Sequence, residues 1–215
     1  MPRKPQRNGA MPASSHANRG RVWESALEML HQRWMTGHRA LVIRTPPPMK
    51  ILRNQGGATF VACFEKEGPP DYLVISQGWT LLVEAKSFGA RLGWSCLPAH
   101  QAETMDRAMA QSDRAHGLLL IYANDTASAY AVLWQDVRER YWAWANRTGR
   151  AVPGSASLTH KQLRELAVTW GRGAIDYLHP VTAELAARTT TDEEQRADDR
   201  RCGDETPMDP RASSA

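Results

Sequence analysis

The sequence has no run of about 18 apolar residues that could span a membrane, and its first twenty residues lack the apolar stretch of a secretory signal. It is also poor in cysteine. Cys63, Cys96 and Cys202 are odd in number and form no CxxC pair, so the sequence indicates neither a disulfide framework nor a zinc ribbon. These absences predict a soluble protein of the cytoplasm with no membrane partner.

Charge of one sign is missing from the start of the chain, and large aliphatic side chains are missing from its end. Residues 1–21 contain no acid, and the acid-rich residues 189–215 contain no Val, Leu or Ile. Such composition is typical of disordered segments. We expect a disordered basic arm over residues 1–17, one domain over 18–185 and a disordered acidic tail over 186–215. The arm either contacts phosphates or is a solvated tail.

Helix-type and strand-type patterns alternate between these two ends. Val22, Leu27, Leu30 and Trp34 lie at helical spacing in a segment that stops at Gly37. Further helices are predicted over 97–112, 135–147 and 159–168, and strands over 39–52 (with a three-proline interruption), 58–66, 71–76, 80–88, 116–124 and 127–134. This order predicts a mixed α/β domain built on one central sheet with flanking helices.

One predicted hairpin, "DYLVISQGWTLLVEAKSF", carries charged residues in otherwise apolar strands. Residues two apart in a strand share a face, so Glu84 and Lys86 are expected to point the same way. Hairpin pairing can bring Asp71, at the mouth of the first strand, beside Glu84. The pattern therefore predicts two carboxylates and a lysine that converge at one end of a sheet.

Two neighbouring carboxylates repel each other unless a cation lies between them. Oxygen ligands of this kind suit a hard divalent ion, Mg²⁺ or Mn²⁺, whose octahedron is completed by waters or phosphate oxygens. A lysine next to such an ion suits the hydrolysis of a phosphodiester. The alternative is an ordinary cross-strand charge pattern on a solvated face, because ExK triplets are common.

At these residues the sequence resembles the PD-(D/E)xK nuclease superfamily and, more narrowly, the RecU family of Holliday junction resolvases. The likeness covers about residues 18 to 180. It rests on "NRGRVWE", "LVIRTPPPMKI", "PPDYLV", "LLVEAKS", "LPAHQAETM", "GLLLIY" and "GRGAIDYL", in the family's order. The resemblance implies a restriction-endonuclease-like core with a mixed central sheet flanked by helices.

The resemblance also implies roles for individual residues. Asp71 and Glu84 correspond to the metal-holding acids, together with the Ala85 carbonyl, and Lys86 to the lysine that positions or polarises the attacking water. Glu24 resembles an additional acid that reaches the site from the first helix; the alternative is an exposed helix carboxylate.

The next helix carries a further expected site residue. Gln101 matches a helix glutamine that lies near the family's active site, and His100 before it is either catalytic or structural. Two departures limit the likeness. Pro70 replaces a polar residue before the aspartate, and the stalk-like segment near residues 52–68 is shorter and less basic than in relatives.

By this resemblance the protein is a Mg²⁺-dependent junction resolvase, with Mn²⁺ as a possible substitute, that makes paired symmetric nicks in four-way DNA junctions during recombination and repair. A nucleoid-associated location follows from that substrate. The expected phosphate-contacting residues, each of which is alternatively a plain surface charge, are Arg19, Arg21, Arg44, Lys50, Arg53 and Arg91.

Two other functions stay open at this point. One is a different PD-(D/E)xK endonuclease, either restriction-like or a phage nuclease that acts on flaps or duplex. The other is a DNA-binding recombination accessory protein with little nuclease activity, although the intact Asp71, Glu84 and Lys86 argue against it.

A homodimer is also expected, with a contact that includes Leu52–Gly68. In "ATFVACF" the apolar residues lie on both faces of the predicted strand. An exposed strand of this kind favours a covering partner. The alternative is that the strand pairs within its own sheet.

Overall fold

The elements below come from a computed structural model that describes residues 16–57, 59–64, 67–147 and 156–203, with side chains described between 22 and 195. The helices are α1 (His16–Thr36), α2 (Ala99–Gln111), α3 (Arg138–Ala145), α4 (His160–Leu166) and α5 (Leu178–Gly203). The strands are β1 (Leu41–Arg44), β2 (Met49–Gly56), β3 (Thr59–Phe64), β4 (Tyr72–Ser76), β5 (Trp79–Phe88), β6 (Arg91–Gly93), β7 (Ala115–Ala123), β8 (Ser128–Leu133), β9 (Ser157–Thr159) and β10 (Thr169–Arg172).

A six-stranded sheet with the order β1-β4-β5-β7-β8-β10 forms the centre of the fold. The β5–β7 pair is parallel and the other pairs are antiparallel. The connection from β5 to β7 contains α2, as a parallel pair requires a long crossover. The predicted mixed α/β class, with one mixed sheet and flanking helices, is confirmed.

Helices cover both faces of this sheet. Leu27 of α1 and Leu185 of α5 pack on one face, while Met105 of α2 and Leu163 of α4 pack on the other. The apolar run of β7 serves both layers, because its side chains alternate between the two cores. A strand buried on both faces explains why "GLLLIY" contains no polar alternation.

The turn between β4 and β5 sets the register of the hairpin. Gln77 and Gly78 both have positive φ, 50° and 81°, as the two central residues of a type I′ turn require. The paired residues run from Ser76 with Trp79 to Tyr72 with Val83. Asp71 and Glu84 are the next residues beyond this last pair, one on each side of the hairpin.

The β2 and β3 strands form a separate two-stranded ribbon and do not join the central sheet. The ribbon is solvent-exposed along nearly its whole length. Its large apolar residues are also exposed, and they are Met49, Ile51, Leu52, Phe60 and Phe64. The apolar strand thus pairs only with its neighbour in the chain.

Several elements differ from the sequence prediction. Helix α1 begins at His16, before the predicted start, and β6, β9, β10 and α5 were not predicted. Helix α5 continues to Gly203, into the segment predicted as a tail from residue 186. Arg188 in this part of the helix binds the Asp136 carboxylate through two hydrogen bonds of 2.7 and 3.0 Å. Residues 1–15 and 204–215 of the predicted arm and tail lie outside the described residues.

Candidate active site

Asp71 is joined to Glu84 and to Ala85 by two hydrogen bonds between backbone and side chain. The Asp71 N–H donates to Glu84 Oε2 at 3.3 Å, and the Ala85 N–H donates to Asp71 Oδ2 at 2.9 Å. Both contacts follow from the register of the hairpin, which leaves these residues opposite each other at its open end. The predicted proximity of the two acids is confirmed.

Glu84 lies inside the fold. Its side chain is fully buried, and its carboxylate forms an ion pair with the Lys86 ammonium through Oε1 and Nζ. Burial, and next the negative charge of Asp71, raise the pKa of Glu84 to about 7, while Lys86 acts in the opposite direction. A cation bound beside these acids would therefore offset the negative charge of Glu84, which burial and Asp71 disfavour.

A cavity of about 90 Å³ opens on the α1 side of the two acids. Its lining combines acidic, aromatic and basic side chains: Trp23, Glu24, Arg44, Asp71, Tyr72, Ala85 and Ser87. Helix α1 thus brings Glu24 to the same cavity as Asp71 and Ala85. Glu84 and Lys86 belong to the other face of β5, so Asp71 is the residue that both sides of the site share.

The donor set suits an ion that keeps part of its own hydration shell. Among the residues with described positions, no three His, Cys, Asp or Glu side chains form a metal-binding group. Two carboxylates and the Ala85 carbonyl match the few protein ligands that Mg²⁺ takes, with waters or phosphate oxygens in the other positions. The residues present therefore fit a hard divalent ion.

Gln101 lies in the first turn of α2 and is buried. Its Oε1 atom has no hydrogen-bond partner within the described part of the chain, and no hydrogen bond links it to the two acids. The adjacent His100 Nδ1 lies 2.9 Å from Glu67 Oε2, so His100 ties the start of α2 to the connection that leads from the ribbon to β4. The structure thus brings Gln101 to the core beneath the sheet without a direct contact to the acids.

The predicted phosphate-contacting residues are spread over the molecule. Arg44 lines the cavity and binds Glu28 at 2.7 Å, Lys50 and Arg53 are exposed on the ribbon, and Arg91 is exposed on β6. Arg19 and Arg21 lie in α1, but their side chains lie outside the described part.

Sequence reasoning missed Trp23 and Ser87 as lining residues. Ser87 lies two residues beyond Ala85 and so shares its face, a signal that strand alternation contains. Trp23 stacks on Tyr122 with the ring centres 4.8 Å apart, which no local pattern reveals. A larger cavity of about 320 Å³ lies at the opposite end of the strands, beside α5, and none of the predicted site residues lines it.

The family model for Recombination protein U matches residues 18–183, which is more than half of the chain. The chain belongs to the RecU family. RecU proteins are Holliday junction resolvases, so this member is a metal-dependent endonuclease that acts on junction DNA in recombination and repair. The predicted RecU resemblance is confirmed. The mixed sheet with helices on both faces agrees with the mixed α/β core that the resemblance implies.

A solved structure similar to this RecU chain is Hjc, a Holliday junction resolvase from the archaeal hyperthermophile Archaeoglobus fulgidus. The two share 16% sequence identity, the match covers 69% of this chain and 96% of that chain, and the TM-score is 0.38. Comparison with curated proteins finds no match. No helix within the described ranges is long and apolar enough to cross a membrane.

Proposed function

We propose that this RecU protein cuts four-way DNA junctions with a Mg²⁺ ion held by Asp71, Glu84 and the Ala85 carbonyl, and that Mn²⁺ substitutes for it. The observation that supports the proposal is the pair of hydrogen bonds that join Asp71 to Glu84 and to Ala85 at the open end of the hairpin. When bound, the ion supplies positive charge that acidifies water and offsets the negative charge that builds up on the phosphate.

The protein's own groups prepare the reacting atoms. Lys86 is mostly buried beside Glu84, so its ammonium points into the site and can donate hydrogen bonds to the attacking water or to a phosphate oxygen. The water oxygen attacks phosphorus, the bond from phosphorus to the 3′ oxygen breaks, and the leaving oxygen takes a proton. The products carry a 5′-phosphate and a 3′-hydroxyl.

Glu24 has a supporting part in this proposal. Its carboxylate lines the cavity with Asp71 and Ala85, which places a third acid where hydrated ions or the attacking water can reach it. Gln101 is buried with an unpaired Oε1, and we assign it a positioning role in the site from the α2 side. Because its substrate is a DNA junction, we expect the enzyme to be associated with the nucleoid.

The protein acts as a homodimer in this proposal, because a four-way junction presents two equivalent strands that two active sites can cut in symmetry. The exposed apolar side chains of the β2–β3 ribbon support a partner contact within Leu52–Gly68, since Phe64 is 71% exposed. An apolar edge of this kind favours a second copy that covers it.

A cleavage panel tests the proposed substrate. The protein is incubated with a four-way junction, a duplex, a flap and a single strand, each with Mg²⁺ and with EDTA, next to Asp71→Asn as the inactive control. We expect Mg²⁺-dependent paired nicks in the junction alone. Equal cutting of the duplex would favour a different PD-(D/E)xK endonuclease, and no cutting would favour an accessory protein.

The dimer has a separate test. Light scattering at micromolar concentration should give twice the chain mass, and Phe64→Ser should lower it towards the monomer. Met29→Ser is the matched control, because Met29 on α1 is 67% exposed and is also apolar. A monomer mass for the unmodified protein, with single nicks in a small supercoiled circle that carries a junction, would overturn the dimer.

A further inference from the structure

A cationic surface lies on the outer strand of the sheet, apart from the residues assigned above. It consists of Arg164 on α4 and Trp170 and Arg172 on β10, and we call it the β10 surface. Trp170 and Arg172 are two residues apart on this strand, so they share a face, and both are exposed.

The β10 surface and the candidate active site lie at the same end of the strands, although β10 is an outer strand and β5 a central one. Arg172 is opposite Ser128 in β8, Ser128 is opposite Ala123 in β7, and Ala123 is opposite Phe88 in β5. Phe88 follows Lys86 by two residues in the same strand. Three steps between strands of about 4.8 Å each put Arg172 roughly 14 Å across the sheet from the strand that carries Lys86.

Trp170 is held in one orientation although its side chain is 46% exposed. Its ring stacks on buried Tyr130 with the centres 6.2 Å apart and an angle of 22° between the planes. The Tyr130 hydroxyl lies 3.2 Å from His160 Nδ1, and His160 Nε2 lies 3.0 Å from Asp125 Oδ2. The exposed indole therefore stands on a support that is itself hydrogen-bonded.

The Arg164 guanidinium lies over this indole, 4.5 Å from the ring centre. A guanidinium that stacks on an aromatic ring keeps its N–H donors available in its own plane, the geometry that phosphate recognition uses. Because the stack restricts the side chain, less conformational entropy is lost when a ligand binds.

The two arginines of the β10 surface have no carboxylate partner among the described residues. Arg164 and Arg172 form no ion pair with a carboxylate in the described part of the chain, whereas Arg138 and Arg188 do. The one lysine on α4, Lys161, lies 3.9 Å from Glu165 and is partly compensated. Two exposed, unpaired guanidiniums beside an exposed indole therefore favour an anionic polymer as the occupant.

We propose that the β10 surface binds the sugar-phosphate backbone of a DNA arm at a distance from the phosphate that is cut. The inference rests on the proposed function and adds residues to it that the sequence did not single out. The separation of roughly 14 Å is close to the width of the DNA major groove, about 12 Å, so the surface reaches a backbone across a groove from the cut strand.

The experiment compares a double variant with a matched control. Arg164→Ala with Arg172→Ala removes the charges of the β10 surface. Arg114→Ala removes an arginine at the opposite end of the strands. Like Arg164, Arg114 stacks on a tryptophan: its guanidinium lies 4.5 Å from the ring centre of buried Trp79. All proteins carry Asp71→Asn, so that no DNA is cut while the affinity for a labelled junction is measured at several salt concentrations.

The double variant should bind more weakly, and its slope of log K against log salt should be smaller by about 1.8, or about 0.9 for each lost phosphate contact. The Arg114→Ala slope should stay that of the parent. In proteins with Asp71 restored, single-turnover cleavage at saturating protein should be unchanged within about threefold, because the reacting groups are untouched. Circular dichroism melting checks that each variant folds.

The inference fails if affinity and slope of the double variant equal those of the parent, or if Arg114→Ala lowers the slope equally. An acidic protein partner in place of DNA is the conclusion in the first case. These failures differ from a failure of the proposed function: if the unmodified protein cuts no junction but the slope difference persists on duplex DNA, the surface binds DNA and the resolvase proposal is wrong.

Discussion

The Asp71 carboxylate accepts a hydrogen bond from the backbone N–H of Ala85, with 2.9 Å between Oδ2 and N. The donor is a backbone group, so substitutions of the Ala85 side chain leave it in place. One carboxylate oxygen is thereby held by β5, while the other lone pairs remain available to a cation. An amide at position 71 could accept the same hydrogen bond, but without the negative charge.

Asp71→Asn and Glu84→Gln should each reduce Mg²⁺-dependent cleavage by at least a hundredfold, since loss of a metal ligand costs several kcal/mol of transition-state stabilisation. Junction affinity should stay within about threefold, because phosphate contacts come from basic residues. Single-turnover cleavage and anisotropy measure the two effects. More than a tenth of the parent rate in either variant would contradict the assignment.

Lys86→Ala should lower the cleavage rate by orders of magnitude, as expected when a charge next to the transferring phosphoryl group is removed. Calorimetry should show nearly the same Mg²⁺ affinity, because the two carboxylates and the Ala85 carbonyl are unchanged. If Mg²⁺ binding were lost and the variant unfolded, Lys86 would be a structural partner of Glu84 only.

Glu84 should lower the stability of the metal-free protein as pH rises from about 4.5 to 7, while buried His31, whose pKa is lowered to about 4, acts in the opposite direction. The pKa of Glu84 is about 7 in the folded protein, against an ordinary value of 4.5, so in this window the Glu84 side chain binds fewer protons in the unfolded chain than in the folded protein. Glu84→Gln removes this dependence. Urea unfolding in EDTA should show a difference in pH slope between parent and variant that amounts to about 1–3 kcal/mol over the window. Equal slopes would contradict the raised pKa.

Gly117→Ala should destabilise the fold by about 1–3 kcal/mol, the usual cost of an added methyl group in a packed core. A Cβ atom at position 117 would lie 2.6 Å from Trp134 Cβ and 2.8 Å from Met105 Sδ. Gly89→Ala is the control, because apart from its chain neighbours no atom of a described residue lies within 4 Å of a Cβ there. Thermal melting compares the two; equal losses would mean that α2 and β7 pack less closely than described.

The geometry of the acids could be predicted because it depends on local information. A two-residue turn at Gln77 and Gly78 sets the register, and strand alternation sets the faces, so Asp71 meets Glu84 without any long-range assumption. The placement of Glu24 depended on the family resemblance, since nothing in α1 itself indicates which carboxylate faces the cavity.

Other features depend on contacts far apart in the chain, and the sequence does not show them. Strand β10 is four residues long with half its side chains exposed, so its pattern is too short to detect. Helix α5 carries almost no amphipathic pattern beyond Leu185, and its contact to the domain there joins Arg188 to Asp136, 52 positions away. An apolar strand pattern at residues 59–64 cannot reveal whether β3 joins the central sheet or pairs with β2 alone.

The backbone amides of Asp71 and Glu84 should differ in their rates of hydrogen exchange. The amide of Glu84 lies in a strand paired on both sides within the core, so its exchange should require global unfolding. The amide of Asp71 donates only to a side chain at the end of a strand, and it can exchange through local opening. Of the two proposed ion ligands, Glu84 should therefore lie in backbone as stable as the whole protein, whereas the backbone at Asp71 can adjust locally.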